Sequence, residues 1–150
     1  MIQTDILIIG AGPTGLFAVF EAGLLKLKCH LIDALPQPGG QLAELYPKKP
    51  IYDIPGYPEV LAGDLVTNLM EQIKQFQPGF TLGETAETID KLEDGTFIVT
   101  TNKGTKHQQT VDLSTVAILN CSQSPLVKFQ SAQVVNIQSA RTYARNQRRC

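Results

Sequence analysis

Gly10, Gly12 and Gly15 stand at the spacing G-x-G-x-x-G/A-type loops require, in Gly10-Ala11-Gly12-Pro13-Thr14-Gly15, with an apolar run (Asp5-Ile6-Leu7-Ile8-Ile9) before them and Asp33 about twenty residues beyond. This is the order of parts a dinucleotide site needs. The first glycine permits a tight turn from strand to helix, the second lets backbone approach a pyrophosphate, and the third allows helix to pack closely on strand. Thr14 opens the helix, whose first N–H groups and partial positive charge suit an anion. Asp33 can accept hydrogen bonds from ribose hydroxyls and would repel a 2′-phosphate, so the site suits FAD or NAD better than NADP.

These residues need a strand, a helix and a second strand to position them. Asp5–Ile9 reads as a buried parallel strand. Thr14 to about Lys26 reads as a helix with Leu16, Ala18, Val19, Ala22 and Leu25 near helical spacing, Gly23 permitting close packing. Lys28–Asp33 completes a βαβ unit. From Ala34 to Glu59, Pro36, Pro38, Pro47, Pro50, Pro55, Pro58 and the pair Gly39-Gly40 exclude a regular helix through most of the stretch. So long an irregular excursion inside a compact domain marks a functional segment. Ala62 to about Phe76 is a helix with the stripe Leu65, Leu69, Ile73 and Phe76, and the nearby Gly79 supports a stop after Gln77-Pro78. Glu87–Leu92, Thr96–Thr101 and Lys106–Val111 form a β-meander punctuated by Asp94-Gly95 and Lys103-Gly104. Val116–Leu119 returns to the sheet.

The 150 residues suit one core, and the net charge of −1 gives no basic excess for nucleic acid. No apolar run is long enough to span a bilayer, and the start has no basic leader segment, so no signal peptide is expected. Cys29, Cys121 and Cys150 have no metal spacing and read as reduced, cytoplasmic thiols. All twelve glycines lie at or before Gly104, Asp112 is the only acid after Asp94, and every arginine falls in the last ten residues. That shift divides a domain over 1–118 from an aberrant or disordered tail over 119–150.

Several side chains keep two readings. The Gln41 amide can meet the polar edge of a flavin or cap a loop, and Tyr46 can stack on a ring system or pack. Tyr52 and Tyr57 read as scaffold, and Lys48-Lys49 as a solvated turn or a small basic patch for an acidic partner. His30 and His107 read as structural or exposed. There is no metal set, nucleophile–histidine pair or carboxylate dyad, so no catalytic side chain is assigned.

The fingerprint, Ala34-Leu35-Pro36-Gln37-Pro38-Gly39-Gly40-Gln41-Leu42, Tyr46-Pro47 and Ile51-Tyr52-Asp53-Ile54-Pro55-Gly56-Tyr57-Pro58 together resemble the thioredoxin-reductase-like ferredoxin–NADP⁺ reductases over about residues 1–110. The resemblance implies an α/β, Rossmann-like FAD-binding domain with an inserted β-meander, truncated relative to the two-domain flavoprotein fold. It implies FAD held by Gly10, Gly12, Pro13, Thr14 and Gly15, with Asp33 on the ribose, Gln41 and Tyr46 against the flavin half, and Ala86 presenting backbone to the adenine. It further implies a homodimer passing electrons between NADPH and ferredoxin or flavodoxin, the flavin carrying the chemistry. The family chain is about twice as long, and neither its NADPH domain nor its closing strand is present in this sequence. The chain is therefore expected to be inactive alone. A non-catalytic fragment, or a fragment of a thioredoxin-reductase-like disulfide reductase, is the alternative. From about Leu119 the family pattern is lost, as a frameshifted reading or a deliberate linker would produce.

Overall fold

A computed structural model describes residues 1–110 and the backbone of residues 117–118. The apolar run forms β2 (Ile6–Ile9), preceded by a short β1 (Ile2–Thr4) and followed by α1 (Pro13–Leu24) and β3 (Cys29–Asp33). The proline-rich excursion holds α2 (Gly40–Glu44) and the antiparallel pair β4 (Pro50–Ile51) and β5 (Val60–Leu61). Next come α3 (Ala62–Ile73) with a 3₁₀ turn over Lys74–Phe76, then β6 (Gly79–Leu82). The meander is β7 (Ala86–Lys91), β8 (Phe97–Thr101) and β9 (Lys106–Gln109), and β10 is Ala117–Ile118.

A parallel sheet runs in the order β10-β2-β3-β6, and a second sheet in the order β1-β9-β8-β7. Alternation along the strands decides what covers each face of the parallel sheet. Ile6, Ile8, Cys29 and Leu31 pack with Leu16, Val19 and Ala22 of α1 and Val66 and Ile73 of α3. Leu7 and Ile32 point the other way, onto Ala86 and Val99 of the meander. The central strand β2 is thus covered on both sides, which is why it reads as a continuous apolar run. Between the helices, Gly23 gives its space to the ring of Phe76, which also meets Phe20 edge-on at 6.0 Å.

The structure amends the sequence reading in several places. The opening residues do not simply enter the first strand: Ile2–Thr4 is a separate strand, paired in parallel with β9 and closing the meander into a four-stranded sheet. α2 occupies the proline-free window between Pro38 and Pro47, so the excursion is not wholly irregular. The 3₁₀ turn after α3 ends at Gln77 in the left-handed region (φ 48°), where the stop was expected, but the nearby Gly79 also begins a strand paired with His30. Its missing side chain makes room for the His30 imidazole. Tyr52 and Tyr57 are exposed, not scaffold, whereas His30 and His107 are both buried. The returning strand is present as β10, beside β2. The expectation for residues 119–150 lies outside the described residues.

Cys29 is buried on the helix-covered face, and its thiol is pushed up to about 12 by burial and then by the nearby Asp5 carboxylate. With Cys121 and Cys150 replaced by serine, the native chain is expected to resist Ellman's reagent. Labelling of Cys29 should accelerate at least about 100-fold in unfolding concentrations of denaturant, since the thiolate is the reactive form. Comparable rates in both conditions would contradict this burial.

Candidate functional site

Three loops meet beyond the carboxyl ends of β2, β3 and β6, where open α/β sheets bind ligands. The first is the glycine fingerprint. Gly10 takes φ 111°, and its N–H donates to the Ile32 carbonyl at 2.8 Å. Gly15 lies directly against the Gly10 carbonyl, so a side chain there would strike backbone oxygen. Gly12 caps α1 in an extended conformation, and nothing stands within 4 Å of where its side chain would be. Pro13 occupies the first helical turn, where it sacrifices no hydrogen bond. Thr14 follows it, exposed. The first turn of α1 carries no acid, so its positive end is not neutralised by its own side chains.

The second loop follows β3. Asp33 is partly buried, and its carboxylate accepts from the N–H of Ala11 at 2.6 Å and of Leu35 at 2.9 Å. These bonds tie the fingerprint to the loop after β3. A carboxylate offers about four acceptor sites, so capacity remains for hydroxyl donors. The third loop joins β6 to β7. Glu84 donates its N–H to the Asp33 carbonyl at 3.1 Å, and Gly83 donates to Leu35 at 3.0 Å. The Glu84 carboxyl is held below its ordinary range, chiefly by the hydrogen bond from the Thr101 hydroxyl. Ala86 starts β7 opposite Thr101 with its side chain buried, and Asn102 brackets the preceding Thr85, donating to its carbonyl at 2.9 Å and accepting from its N–H at 3.0 Å.

The structure therefore brings together Gly10, Gly12, Pro13, Thr14, Gly15 and Asp33, with Ala86 at the start of the strand that follows the loop bound to Asp33. Gln41 is exposed on α2. Tyr46 lies just past α2, 51% exposed, with the Lys49 ammonium 5.4 Å from its ring centre. Sequence reasoning missed what holds the loop: Ala11 is fully buried, and its carbonyl accepts from the N–H of Gly39 at 2.8 Å. The adjacent glycines of Gly39-Gly40 were the available signal. Both adopt positive φ, 110° and 59°. Among the described residues, no group of three or more His, Cys, Asp and Glu side chains is arranged to hold a metal, and no helix is long and apolar enough to cross a membrane.

No family model matches the chain. Over 107 residues, 71% of the chain, it is 89% identical to a ferredoxin–NADP reductase of Flavobacterium psychrophilum, covering 30% of that protein. It is 85% identical over 111 residues to ferredoxin–NADP reductase 1 of Christiangramia forsetii, covering 31% of it. The crystal structure of thioredoxin reductase from Streptococcus pyogenes superposes with a TM-score of 0.63 at 25% identity, covering 77% of this chain and 34% of that one. Fold and site define a Rossmann-like dinucleotide-binding domain of the thioredoxin-reductase-like class. Over its matched residues the chain is similar to ferredoxin–NADP reductases, and it spans about 30% of the length of those curated relatives.

Proposed function

We propose that this chain is the FAD-binding part of a ferredoxin–NADP⁺ reductase. The observation that carries this reading is the contrast among the glycines. Gly15, Gly23 and Gly79 give their space to neighbouring atoms of the fold, whereas the space beside Gly12 is open at the positive end of α1. A bare backbone facing open space is what close approach of a pyrophosphate needs. Gly10 and Gly15 shape the turn, Pro13 and Thr14 open the helix toward the phosphates, and Asp33 accepts from the adenosine ribose. Gln41 and Tyr46 lie against the flavin half, and the backbone at Ala86 meets the adenine. When bound, FAD supplies the exchange of a hydride with NADPH and of single electrons with ferredoxin or flavodoxin. The protein groups bind and orient it.

In this reading residues 1–118 form the domain, residues 119–150 are a tail outside it, and the complete enzyme is a cytoplasmic homodimer. The length of the relatives, more than twice that of this chain, favours a second statement: alone, the 150-residue chain does not turn over.

Purified chain should be mixed with FAD and passed through gel filtration, with absorption spectra of the protein peak. Flavin bands that travel with the protein are expected. NADPH-dependent ferricyanide reduction by that peak should stay at the buffer rate. A colourless peak at FAD concentrations well above micromolar would overturn the FAD reading, and NADPH turnover would overturn the claim of inactivity.

A further inference from the structure

We infer that the Gly39-Gly40 turn is a positioning device for the glycine fingerprint, so that the phosphate cradle takes its shape only when the proline-rich segment is docked on it. The Ala11 peptide is held on both sides. Its N–H donates to the Asp33 carboxylate at 2.6 Å, and its carbonyl accepts from Gly39 at 2.8 Å. Ala11 is fully buried, so neither group has water as an alternative partner. Gly39 adopts φ 110°, where a side chain would also strike Ala43 and Val66; this fixes the turn against α2 and α3. Gly40, at φ 59°, rests on the second glycine of the fingerprint, since a Cβ there would lie 3.2 Å from Gly12 Cα and 3.7 Å from Gly12 N. Two successive residues with positive φ thus let the excursion reach the fingerprint from above, backbone to backbone.

The consequence is coupling along one segment. Gln41 follows Gly40 directly and Tyr46 lies just past α2, so whatever moves α2 also moves the support of Ala11 and Gly12. Gly40 acts through Gly12 and is a positioning residue. The structure also contains its control. Gly56 lies in the same excursion with φ 86°, and nothing stands within 4 Å of its missing side chain. Gly56→Ala therefore imposes a comparable backbone penalty without touching the fingerprint.

The test is amide hydrogen exchange by NMR on the ¹⁵N-labelled full chain without ligand, comparing Gly40→Ala, Gly56→Ala and the parent. Exchange of the Ala11 and Gly39 amides should accelerate at least about tenfold in Gly40→Ala relative to Leu31 in β3, which reports opening of the whole sheet. Gly56→Ala should leave that ratio unchanged. Equal acceleration of Ala11 and Leu31 in Gly40→Ala, or the same selective effect in Gly56→Ala, would overturn the inference. If Gly40→Ala does not fold, Gly40→Asn replaces it, because asparagine tolerates left-handed backbone while keeping the contact with Gly12. A second arm, a fluorescence titration with FAD, rests on the FAD reading. There Gly40→Ala should bind at least tenfold more weakly than Gly56→Ala. A parent chain that binds no FAD would sink that reading, and the exchange result would still decide the inference.

Discussion

Gly12→Ala is expected to weaken FAD binding by roughly 100-fold, about 2.7 kcal/mol, while leaving the fold as stable as before. The backbone at Gly12 (φ −73°, ψ 179°) suits any residue, and its new methyl group would meet no atom within 4 Å. Its stability change should stay within about 0.5 kcal/mol, as for a surface position. The methyl would, however, stand where backbone must approach the pyrophosphate. Gly15→Ala should do the opposite, damaging the fold first. Its Cβ would collide with the Gly10 carbonyl, and Gly10 cannot retreat because its φ of 111° and its bond to Ile32 fix it. A clash with fixed backbone should cost on the order of 3 kcal/mol. Thermal melts and FAD titrations on both variants separate the two glycines. A Gly12→Ala chain that binds FAD as tightly as the parent would show that the ligand does not use this cradle.

How much was legible in the sequence followed from whether a signal was local. The β2 run, the stripe of α3 and the turns at Asp94-Gly95 and Lys103-Gly104 each carry their own pattern, and the corresponding elements lie where expected. β1 and β6 were not legible, because Ile2–Thr4 and Gly79–Leu82 are too short to show a period. They exist through pairing with β9 and β3, far away in the chain. The packing role of Gly79 was hidden for a related reason. Its bareness serves the His30 ring across the sheet, and nothing in residues 77–80 announces that. The fingerprint and Asp33 were legible as types at a spacing, and the structure puts them in one place. The double hold on Ala11 was not, because alanine between glycines carries no chemical signal of its own. His30 and His107 were ambiguous for the same reason as β1. Only the docking of the meander on the parallel sheet buries them.

That docking is expected to make the protein acid-sensitive. His30 on β3 and His107 on β9 face each other across the two sheets with ring centres 4.8 Å apart. His30 shares a hydrogen bond with the Thr81 hydroxyl at 2.8 Å, while neither ring nitrogen of the fully buried His107 has a hydrogen-bond partner among the described residues. Burial, then the neighbouring His107, lowers the His30 pKa to about 4. Burial also lowers that of His107, against the opposing pull of Glu84, with the amino terminus adding to the lowering. Both rings are therefore neutral in the folded protein at pH values where the unfolded chain already protonates them, near 6.5. Between about pH 6.5 and 4 the unfolded state binds more protons, so stability is complete above 6.5 and falls as the pH drops through that window. The loss through His30 should reach roughly 2 kcal/mol by pH 4.5, or about 10 °C in melting temperature. His107→Leu fills nearly the same volume without orphaned nitrogens, so it should raise the melting temperature at pH 7 by several degrees. It should also flatten the acid slope, because it removes one titrating ring and the neighbour that disfavours charge on the other. Melting curves at pH 4.5, 5.5 and 7.0 for the parent and His107→Leu decide the matter. Parallel slopes in the two proteins would mean that the acid response arises elsewhere than between the sheets.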